Sequence, residues 1–559
     1  MNSEKELVQK PSPYAGRWVA RLQGKIIAHG GTPEQARLAA QKTRYKETPE
    51  ILYMPTASPL TFSPLIARVQ AALPRQKIYL VGGILRDALL GRLSHDYDFA
   101  VAKNAIDAAR RVAAELKADF YVLDESFDTA RVIVSAQDGE RDILDFAAFR
   151  GPDLDTDLRG RDFTINALAF DLQTEVILDP LNGASDLRFK IIRACSDTSM
   201  RDDPIRILRA VRQAAAFGFK IEPGTRKAMK QAASFLPTVS PERQRDELFK
   251  ILDGSHPDSA LRALEILGVF QYFLPELSAL KGIEQSPPHV RDVWEHTLSV
   301  IISLDEILAV LSAGYSTIKA NDIFTGTLTL RLGRYREQFS NHFHKSLNAD
   351  RSLRALLFFS ALYHDISKPA TKSIEATGRI RFFEHDIKGA RVTVDRARVF
   401  NLSNDEIERL KAIIANHMRF HLFASILEGE KKGPSRKAIY RFFRDVGEAG
   451  IDLILLGLAD LKGTRGPDLT QETWTAAIDV ARIFLENFWE KPEETVAPLR
   501  LVDGHDIIKE YNIPEGPVIG KLLEAIREAQ ATGKVITREE AISFGREWLK
   551  ENQNESGLF

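Results

Sequence analysis

The sequence predicts an α+β chain: a small αβ appendage at the N-terminus, a mixed sheet with helices, then a long, mostly helical remainder. Three observations predict it. Short β-branched and aromatic runs alternate with helical runs through the first two hundred or so residues. From Asp203 onward the apolar spacing is helical, with no strong strand signal to the end. The chain has 559 residues, too many for one core at ~150 residues per domain, so three to five packed units are expected.

Composition narrows the class. Lys plus Arg is 76 and Asp plus Glu is 77, a formal charge of −1. That balance argues against a polybasic protein but leaves local nucleic-acid patches open. Cys195 is the single cysteine, which excludes an intrachain disulfide and a cysteine-based zinc or iron–sulfur site. It also fits a reducing, cytoplasmic setting. No apolar run reaches membrane-spanning length and Met1 to Lys10 is polar, so neither a membrane segment nor a signal peptide is expected.

Residues 1–70 form the appendage, with ten Lys/Arg against five Asp/Glu. Arg17 to Leu22 reads as a strand, Gln23-Gly24 as a turn and Lys25 to Ala28 as the returning strand, broken by His29-Gly30-Gly31. Thr32 then caps a helix with Pro33 in its first turn. The pattern resembles short prokaryotic domains of unassigned role; a packing function is the plainer reading, and the basic excess raises a substrate contact. Residues 71–200 read as strand Lys77–Val81, helix Ile84–Leu90, strand Asp98–Val101, helix Ile106–Leu116 and strand Asp119–Leu123. Strands Arg131–Val134 and Asp142–Phe146 follow, paired across Asp138-Gly139. Helical segments 201–288, 289–465 and 466–559 complete the expected division.

The first chemical constellation lies in the sheet. Gly82-Gly83 joins a strand to a helix, where glycines let phosphate oxygens approach backbone N–H groups. Arg86 adds a guanidinium suited to phosphate. Asp96 and Asp98 alternate along a strand and so share a face. Two carboxylates beside such a turn can hold two magnesium ions for in-line phosphoryl displacement. A third carboxylate is expected on a neighbouring strand, with Asp145 first and Asp142 second. Further on, Asp203 caps a helix with Pro204 in its first turn, and Asp203 and Arg206 share a face. An acceptor and a donor fork so placed can read a base edge; a structural ion pair is the plain alternative.

Together these segments resemble the class II tRNA nucleotidyltransferase and poly(A) polymerase family. The carrying motifs are Leu80 to Asp87, Leu90-Gly91-Arg92, Asp96 to Phe99, Gly160 to Ala167, Asp202 to Arg212 and Ser240 to Leu248. The resemblance implies a polymerase-β-like nucleotidyltransferase head over 71–200 and a helical neck over 201–288 that binds RNA and nucleobase. It implies magnesium on Asp96 and Asp98, with Asp145 as the third catalytic carboxylate. Nucleotide contacts fall on Gly82, Gly83, Arg86, Arg161, Asp162, Asn166, Arg209 and Arg212, and Asp203 and Arg206 would select CTP and ATP. The implied reaction is addition of CMP and/or AMP to the tRNA 3′ acceptor end, with pyrophosphate released. Three departures stand out: Gly160 replaces an arginine, Asp202 replaces a glutamate, and the stretch from Asp145 to Asp157 is short. The short stretch resembles enzymes that add only CC or only A. Poly(A) addition and an inactive, RNA-binding head are the other readings.

The second constellation is histidine-rich. His296, His364-Asp365, His385, His417 and Asp460 fall on predicted helices, and imidazole with carboxylate suits manganese, iron or nickel. These residues resemble the HD superfamily of metal-dependent phosphohydrolases, with His296, His364, Asp365 and Asp460 on one metal and His385 and His417 completing a second. The gap from Ala313 to Ala349 reads as an insertion. A phosphate monoester or 2′,3′-cyclic phosphate is the implied substrate. Finally, Lys431, Lys432, Arg436, Lys437, Arg441 and Arg444 form a basic stretch opposed only at its ends, which can track RNA phosphates; ordinary solvated surface is the equal alternative. The C-terminal 466–559 is expected to pack helically and to contact tRNA. The sequence leaves the oligomeric state open.

Overall fold

In the computed structural model, residues 17–22, 25–42, 48–54, 62–92, 94–135, 141–316, 322–348 and 351–552 are described. The chain divides into two compact units, Met1–Val239 with Leu267–Val269, and Ser240–Ile266 with Phe270–Phe559.

The first unit is built on one ten-stranded sheet. Its strands are β1 (Arg17–Leu22), β2 (Lys25–Gly30), β3 (Glu50–Met54), β4 (Ile78–Val81), β5 (Asp96–Val101), β6 (Asp119–Asp124), β7 (Thr129–Ser135), β8 (Arg141–Ala148), β9 (Ala169–Asp171) and β10 (Val176–Leu178). Their spatial order is β2-β1-β3-β10-β9-β4-β5-β8-β7-β6. β5 and β8 run parallel, with Asp98 opposite Asp145. β4 is buried along its whole length because it lies mid-sheet, and its run Ile78-Tyr79-Leu80-Val81 carries no charge. Along β5 the charged Asp96 and Asp98 are exposed while Tyr97, Phe99, Ala100 and Val101 are buried; Phe99 stacks on Phe146 of β8 at 4.7 Å.

Helices of this unit are α1 (Pro33–Gln41), α2 (Leu65–Ala72), α3 (Gly83–Leu89), α4 (Ala105–Leu116), α5 (Leu154–Arg159), α6 (Gly183–Phe189), α7 (Ser199–Asp202), α8 (Arg206–Phe217) and α9 (Pro223–Ala232). Thr32 caps α1, accepting from the Gln35 N–H, with Pro33 at its start, as the sequence predicts. α4 buries Ala105, Ala108, Ala109, Val112, Ala113 and Leu116 on one stripe, the 3.6-residue spacing of a sheet-packed helix.

Several expectations are corrected. The appendage is not a separate piece: β3, unforeseen, pairs β1 on one side and meets β10 on the other through Leu52 and Leu178, so its strands extend the head sheet. α2 was also unforeseen, and β2 runs on through His29 and Gly30. Asp203 does not cap the next helix. It is the extended residue closing α7, and α8 begins at Arg206 after Ile205. The turns at 23–24 and 138–139 lie outside the described residues.

The second unit is helical. α10 (Pro241–Leu252), α11 (Pro257–Ile266), α12 (Phe270–Phe273) and α13 (Pro275–Ser278) lead to α14 (Val293–Val310). α15 (Ile323–Leu332) and α16 (Arg336–His344) occupy the stretch read as an insertion. Then come α17 (Leu353–Tyr363), α18 (Lys368–Thr371), α19 (His385–Val399), α20 (Asn404–Asn416), α21 (Met418–Glu430), α22 (Arg436–Val446), α23 (Ala449–Arg465) and α24 (Gln471–Trp489). A small antiparallel hairpin, Lys372–Ile374 with Ile380–Phe382, interrupts the predicted all-helical run. α25 (Gly504–Tyr511), α26 (Pro517–Ala531) and α27 (Arg538–Asn552) share a small core around Val502, Ile507, Leu522 and Ile526.

α23 is buried around nearly its whole circumference, which is why it reads as an apolar helix without a polar face. Gly463 lets it lie against α14: a Cβ there would sit 2.9 Å from Val300 Cγ2. His296 on α14 and Asp460 on α23 meet across this contact, with Nε2 and Oδ1 3.1 Å apart.

Candidate active sites

The head site forms at the β4–α3 turn. Gly82 holds φ +79°, a conformation L side chains rarely adopt, and a Cβ there would meet Asp98 Oδ2 at 2.7 Å and Arg161 Nη1 at 3.2 Å. The glycine thus brings backbone, carboxylate and guanidinium to one point. Protein crowded around Asp98 raises its pKa above the ordinary range; Arg161 opposes the shift, Asp145 and Asp96 add to it, and Arg209 opposes it. Such a carboxylate gains from a nearby cation.

Asp145 lies beside Asp98 in the sheet, but both of its oxygens accept from Arg131, at 2.8 and 2.9 Å. Asp142 accepts from His95 at 2.8 Å. Arg86, assigned to phosphate from the sequence, turns its fork onto Asp87 at 2.9 and 2.8 Å and gives its remaining arm to Asn166 Oδ1 at 2.8 Å. It also lies 4.6 Å from the Phe217 ring centre. In this structure it braces the glycine turn.

Asn166 donates in turn to Asp162 and to Gln213 of α8, and Arg209 pairs with Asp162 at 3.2 Å. Arg206 reaches Ser199 Oγ at 2.7 Å and the carbonyls of Gly160 and Arg161 at 2.8 and 3.2 Å. The proposed base-reading helix is therefore pinned to the 160–166 segment by charge-assisted hydrogen bonds. Arg212 follows Arg209 by three positions on α8 and shares its face. Gln213 had no motif to mark it in the sequence.

The second site gathers all six residues read from the sequence. Two trios, His296/His364/Asp460 and Asp365/His385/His417, each bring ligand atoms within 4.8 Å of one another, and every member is buried. Asp365 joins them. Its Oδ2 lies 3.4 Å from His296 and 3.1 Å from His364, its Oδ1 3.4 Å from His385 and 3.9 Å from His417. The three head aspartates form no group so tight.

Backbone fixes the imidazoles. His364, His385 and His417 direct Nδ1 at the carbonyls of Ala361, Phe382 and Ile414, at 2.7, 2.8 and 2.7 Å. A nitrogen facing a carbonyl must donate, so each Nε2 presents a lone pair. Yet Nε2 of His385 and His417 stand 3.3 Å apart, and those of His296 and His364 3.2 Å. The facing lone pairs of His385 and His417 need a cation between them, and the donor set of the site fits divalent metal.

Electrostatics agree. Burial and the facing His364 and His385 push His417 down to about 3, leaving a neutral ligand. Burial alone would raise Asp365, but His364 and Lys368 outweigh it and hold the carboxyl well below the usual range. Burial is likewise overcome at Asp460 by His421 and His296.

Three neighbours escaped the sequence reading. Lys368 Nζ sits 2.6 Å from Asp365 Oδ2, as the i,i+3 spacing in the quoted motif could have shown. His421 Nε2 bonds Asp460 Oδ2 at 2.7 Å; it follows His417 by one helical turn. His289 packs on the His296 ring and is lowered to about 4 by burial and Lys368; no spacing marked it. The basic stretch is also corrected. α26 supplies Glu528 to Lys437 and Arg441 and Glu524 to Arg444, while Glu494 pairs Arg436, so acids from distant sequence oppose the charge. Lys431 and Lys432 are exposed.

Family models match three segments: the poly(A) polymerase head domain over residues 78–193, a probable RNA- and SrmB-binding site of polymerase A over 218–281, and the HD domain over 326–454. An A-adding tRNA nucleotidyltransferase of Deinococcus radiodurans is 30% identical over 481 residues, spanning 84% of this chain and 95% of that protein. This chain belongs to the tRNA nucleotidyltransferase and poly(A) polymerase family. A CC-adding member from Thermus thermophilus is also 30% identical, over 84% and 93% of the two chains. A solved CCA-adding enzyme without ligands shares the fold, at TM-score 0.54 and 21% identity over 89% of this chain and 93% of that one. Within this family member the HD match stops short of both His296 and Asp460; the structure adds them from α14 and α23. Among the described residues no helix is long and apolar enough to cross a membrane.

Proposed function

We propose that this chain adds CMP or AMP to the 3′ end of tRNA in the cytoplasm, without a nucleic-acid template. The observation that carries the reading is the meeting of Asp98, Arg161 and the positive-φ Gly82 at one point, with Asp96 on the same face of β5. Asp96 and Asp98 would hold magnesium, which activates an attacking hydroxyl and stabilises leaving pyrophosphate when bound. Arg161 draws the triphosphate to the glycine turn, and Asp203 and Arg206 select the base. Replacing Asp96 or Asp98 with Ala should remove most incorporation of labelled nucleotide into tRNA while thermal unfolding is unchanged. Full incorporation by either variant sinks this reading.

A second reading within the same chemistry, addition of only CC or only A, is favoured by the short link between β8 and α5, residues 149–153. Relatives that match most of the chain are named A-adding and CC-adding. Offering CTP and ATP separately to tRNAs ending before C, after C and after CC decides between full and partial addition.

The HD site is read as a separate metal-dependent phosphohydrolase. Manganese, nickel or iron on its two trios would supply an activated water. Lys368, paired with Asp365, and His289 line the cavity beside these ligands. Asp365→Ala should abolish hydrolysis of a chromogenic phosphodiester or a 2′,3′-cyclic nucleotide and leave addition to intact tRNA unchanged. A wild-type protein that binds no transition metal and hydrolyses neither compound sinks this part.

A further inference from the structure

The sheet face that carries Asp98 continues into the N-terminal strands. Asp98 pairs Val81, Val81 pairs Ala169, Ala169 pairs Leu178, Leu178 pairs Leu52, and Leu52 pairs Val19. Cross-strand partners point the same way, as do residues two apart on one strand. Arg21 and Glu50 face each other two positions from Val19 and Leu52, so both stand on the Asp98 face. From β5 to β1 the row crosses five strand spacings, roughly 24 Å.

A cavity of about 890 Å³ opens on this face, within the range of small-ligand sites. β1 gives it Arg21, β3 gives Glu50 and α1 gives Arg37, while α5 adds Leu154 and Leu158. α1 is tied to the loop after β10 by Asn182, which donates to Glu34 at 3.1 Å.

Most charges around the cavity are already engaged. Lys77 pairs Asp171 at 3.5 Å and Arg159 pairs Asp155 at 2.7 Å. Asp153 accepts from the Thr156 N–H, and Asp179 from those of Gly183 and Ala184. Among the described residues the side chains of Arg21, Arg37 and Glu50 have neither an ion-pair nor a hydrogen-bond partner. Two guanidiniums thus remain against one carboxylate. The rest of the appendage leans the same way, its described residues carrying five Lys/Arg against two Asp/Glu.

We propose that this cavity is a second RNA contact, in which Arg21 and Arg37 take phosphate oxygens of the tRNA backbone. The inference rests on the transferase reading for its ligand and goes beyond it by giving the appendage a role. On that reading RNA comes to this face of the sheet, and guanidinium forks suit its phosphates whatever the sequence. Because the appendage strands are part of the head sheet, the contact stands at a set distance from Asp98 and grips RNA away from its reacting end.

The test is the salt dependence of binding of a labelled tRNA transcript to the full chain, between about 50 and 200 mM salt. Each phosphate contact adds roughly 0.9 to the slope of log affinity against log salt. Across that range wild type should therefore lose about tenfold more affinity than Arg21→Gln/Arg37→Gln. Arg21→Lys/Arg37→Lys keeps both charges and should keep the wild-type slope. Glu50→Gln removes the opposing carboxylate and should tighten tRNA a few fold at low salt. Equal slopes for wild type and the double Gln variant overturn the proposal. A weaker affinity at unchanged slope, or a slope lost equally in the double Lys variant, also overturns it, because either marks a packing role. Binding that Glu50→Gln leaves unchanged or weakens overturns the cavity as the place of contact. Nucleotide addition by wild type is scored separately. A chain that shows these slopes and adds nothing keeps this inference and overturns the transferase reading; one that adds nucleotide with equal slopes does the reverse.

Discussion

Replacing Gly82 with Ala tests the geometry of the head directly. The backbone there stands at φ +79° and ψ −142°, a region that costs an L residue ~1–3 kcal/mol. The new methyl would also lie 2.7 Å from Asp98 Oδ2, closer than real Cβ contacts come. Asp98 must recede by a few tenths of an ångström, and Arg161 Nη1, 3.2 Å away, is crowded with it. A displacement of about 1 Å at a reacting group costs on the order of 10²-fold in rate, so the smaller shift should cost roughly tenfold. The backbone strain should lower the melting temperature of the head by about 2–4 °C per kcal/mol. Steady-state addition of labelled CMP to tRNA, with thermal unfolding measured in parallel, reads both quantities. A Gly82→Ala enzyme with wild-type turnover would mean that Asp98 is not positioned for chemistry by this turn. A melting temperature left unchanged would show that the main chain tolerates a side chain there.

Three further outcomes are expected. His417→Gln should lower the metal content of the purified chain, measured by mass spectrometry of the elements, while tRNA addition stays the same; full metal content would remove His417 from the ligand set. Buried Asp179, pushed up to about 7 by desolvation, stays protonated on folding where the unfolded chain is ionised, so its stabilising contribution is present below about pH 4 and fades as pH rises through 7. The stability of wild type relative to Asp179→Asn should therefore fall across that window in denaturant titrations, and a flat difference refutes the assignment. Glu528→Gln frees the charge of Lys437 and Arg441 and should tighten tRNA binding at low salt by a few fold if α22 faces RNA; unchanged affinity argues that these residues only hold α26.

The site chemistry was far more legible than its surroundings, for physical reasons. The Gly82 turn and the Asp96–Asp98 alternation are local, and local spacing dictates which side chains share a face. The HD ligands were readable because apolar helices such as α14 and α23 seldom carry histidine or aspartate without a partner. The pairing of β3 with β10 was not readable, since nothing near Leu52 points to Leu178. Glu524 and Glu528 likewise reach the basic stretch from 80 and 87 positions away, so a count of neighbouring charges misjudged it. Arg86 shows a subtler limit: its residue type suits phosphate, but Asp87 beside it and Asn166 from across the fold engage all three of its arms. Asp203 was misplaced because a proline after an aspartate marks a helix start equally well one turn earlier or later.

The order of strands in the head sheet has a bearing on how the chain is made. β9 and β10 are the last of the ten to be synthesised, yet they lie between β3 and β4. Leu52 must wait for Leu178, and Leu80 for Phe170. At ~5–20 residues per second, the roughly 125 residues between Leu52 and its partner take on the order of ten seconds to emerge from a ribosome. Through that interval β1, β2, β3 and α1 can close only among themselves, and β3 and β4 each present an unpaired edge. The N-terminal meander is thus a waiting half-sheet, and the ten residues from Ala169 to Leu178 are the insert that welds it to the catalytic strands.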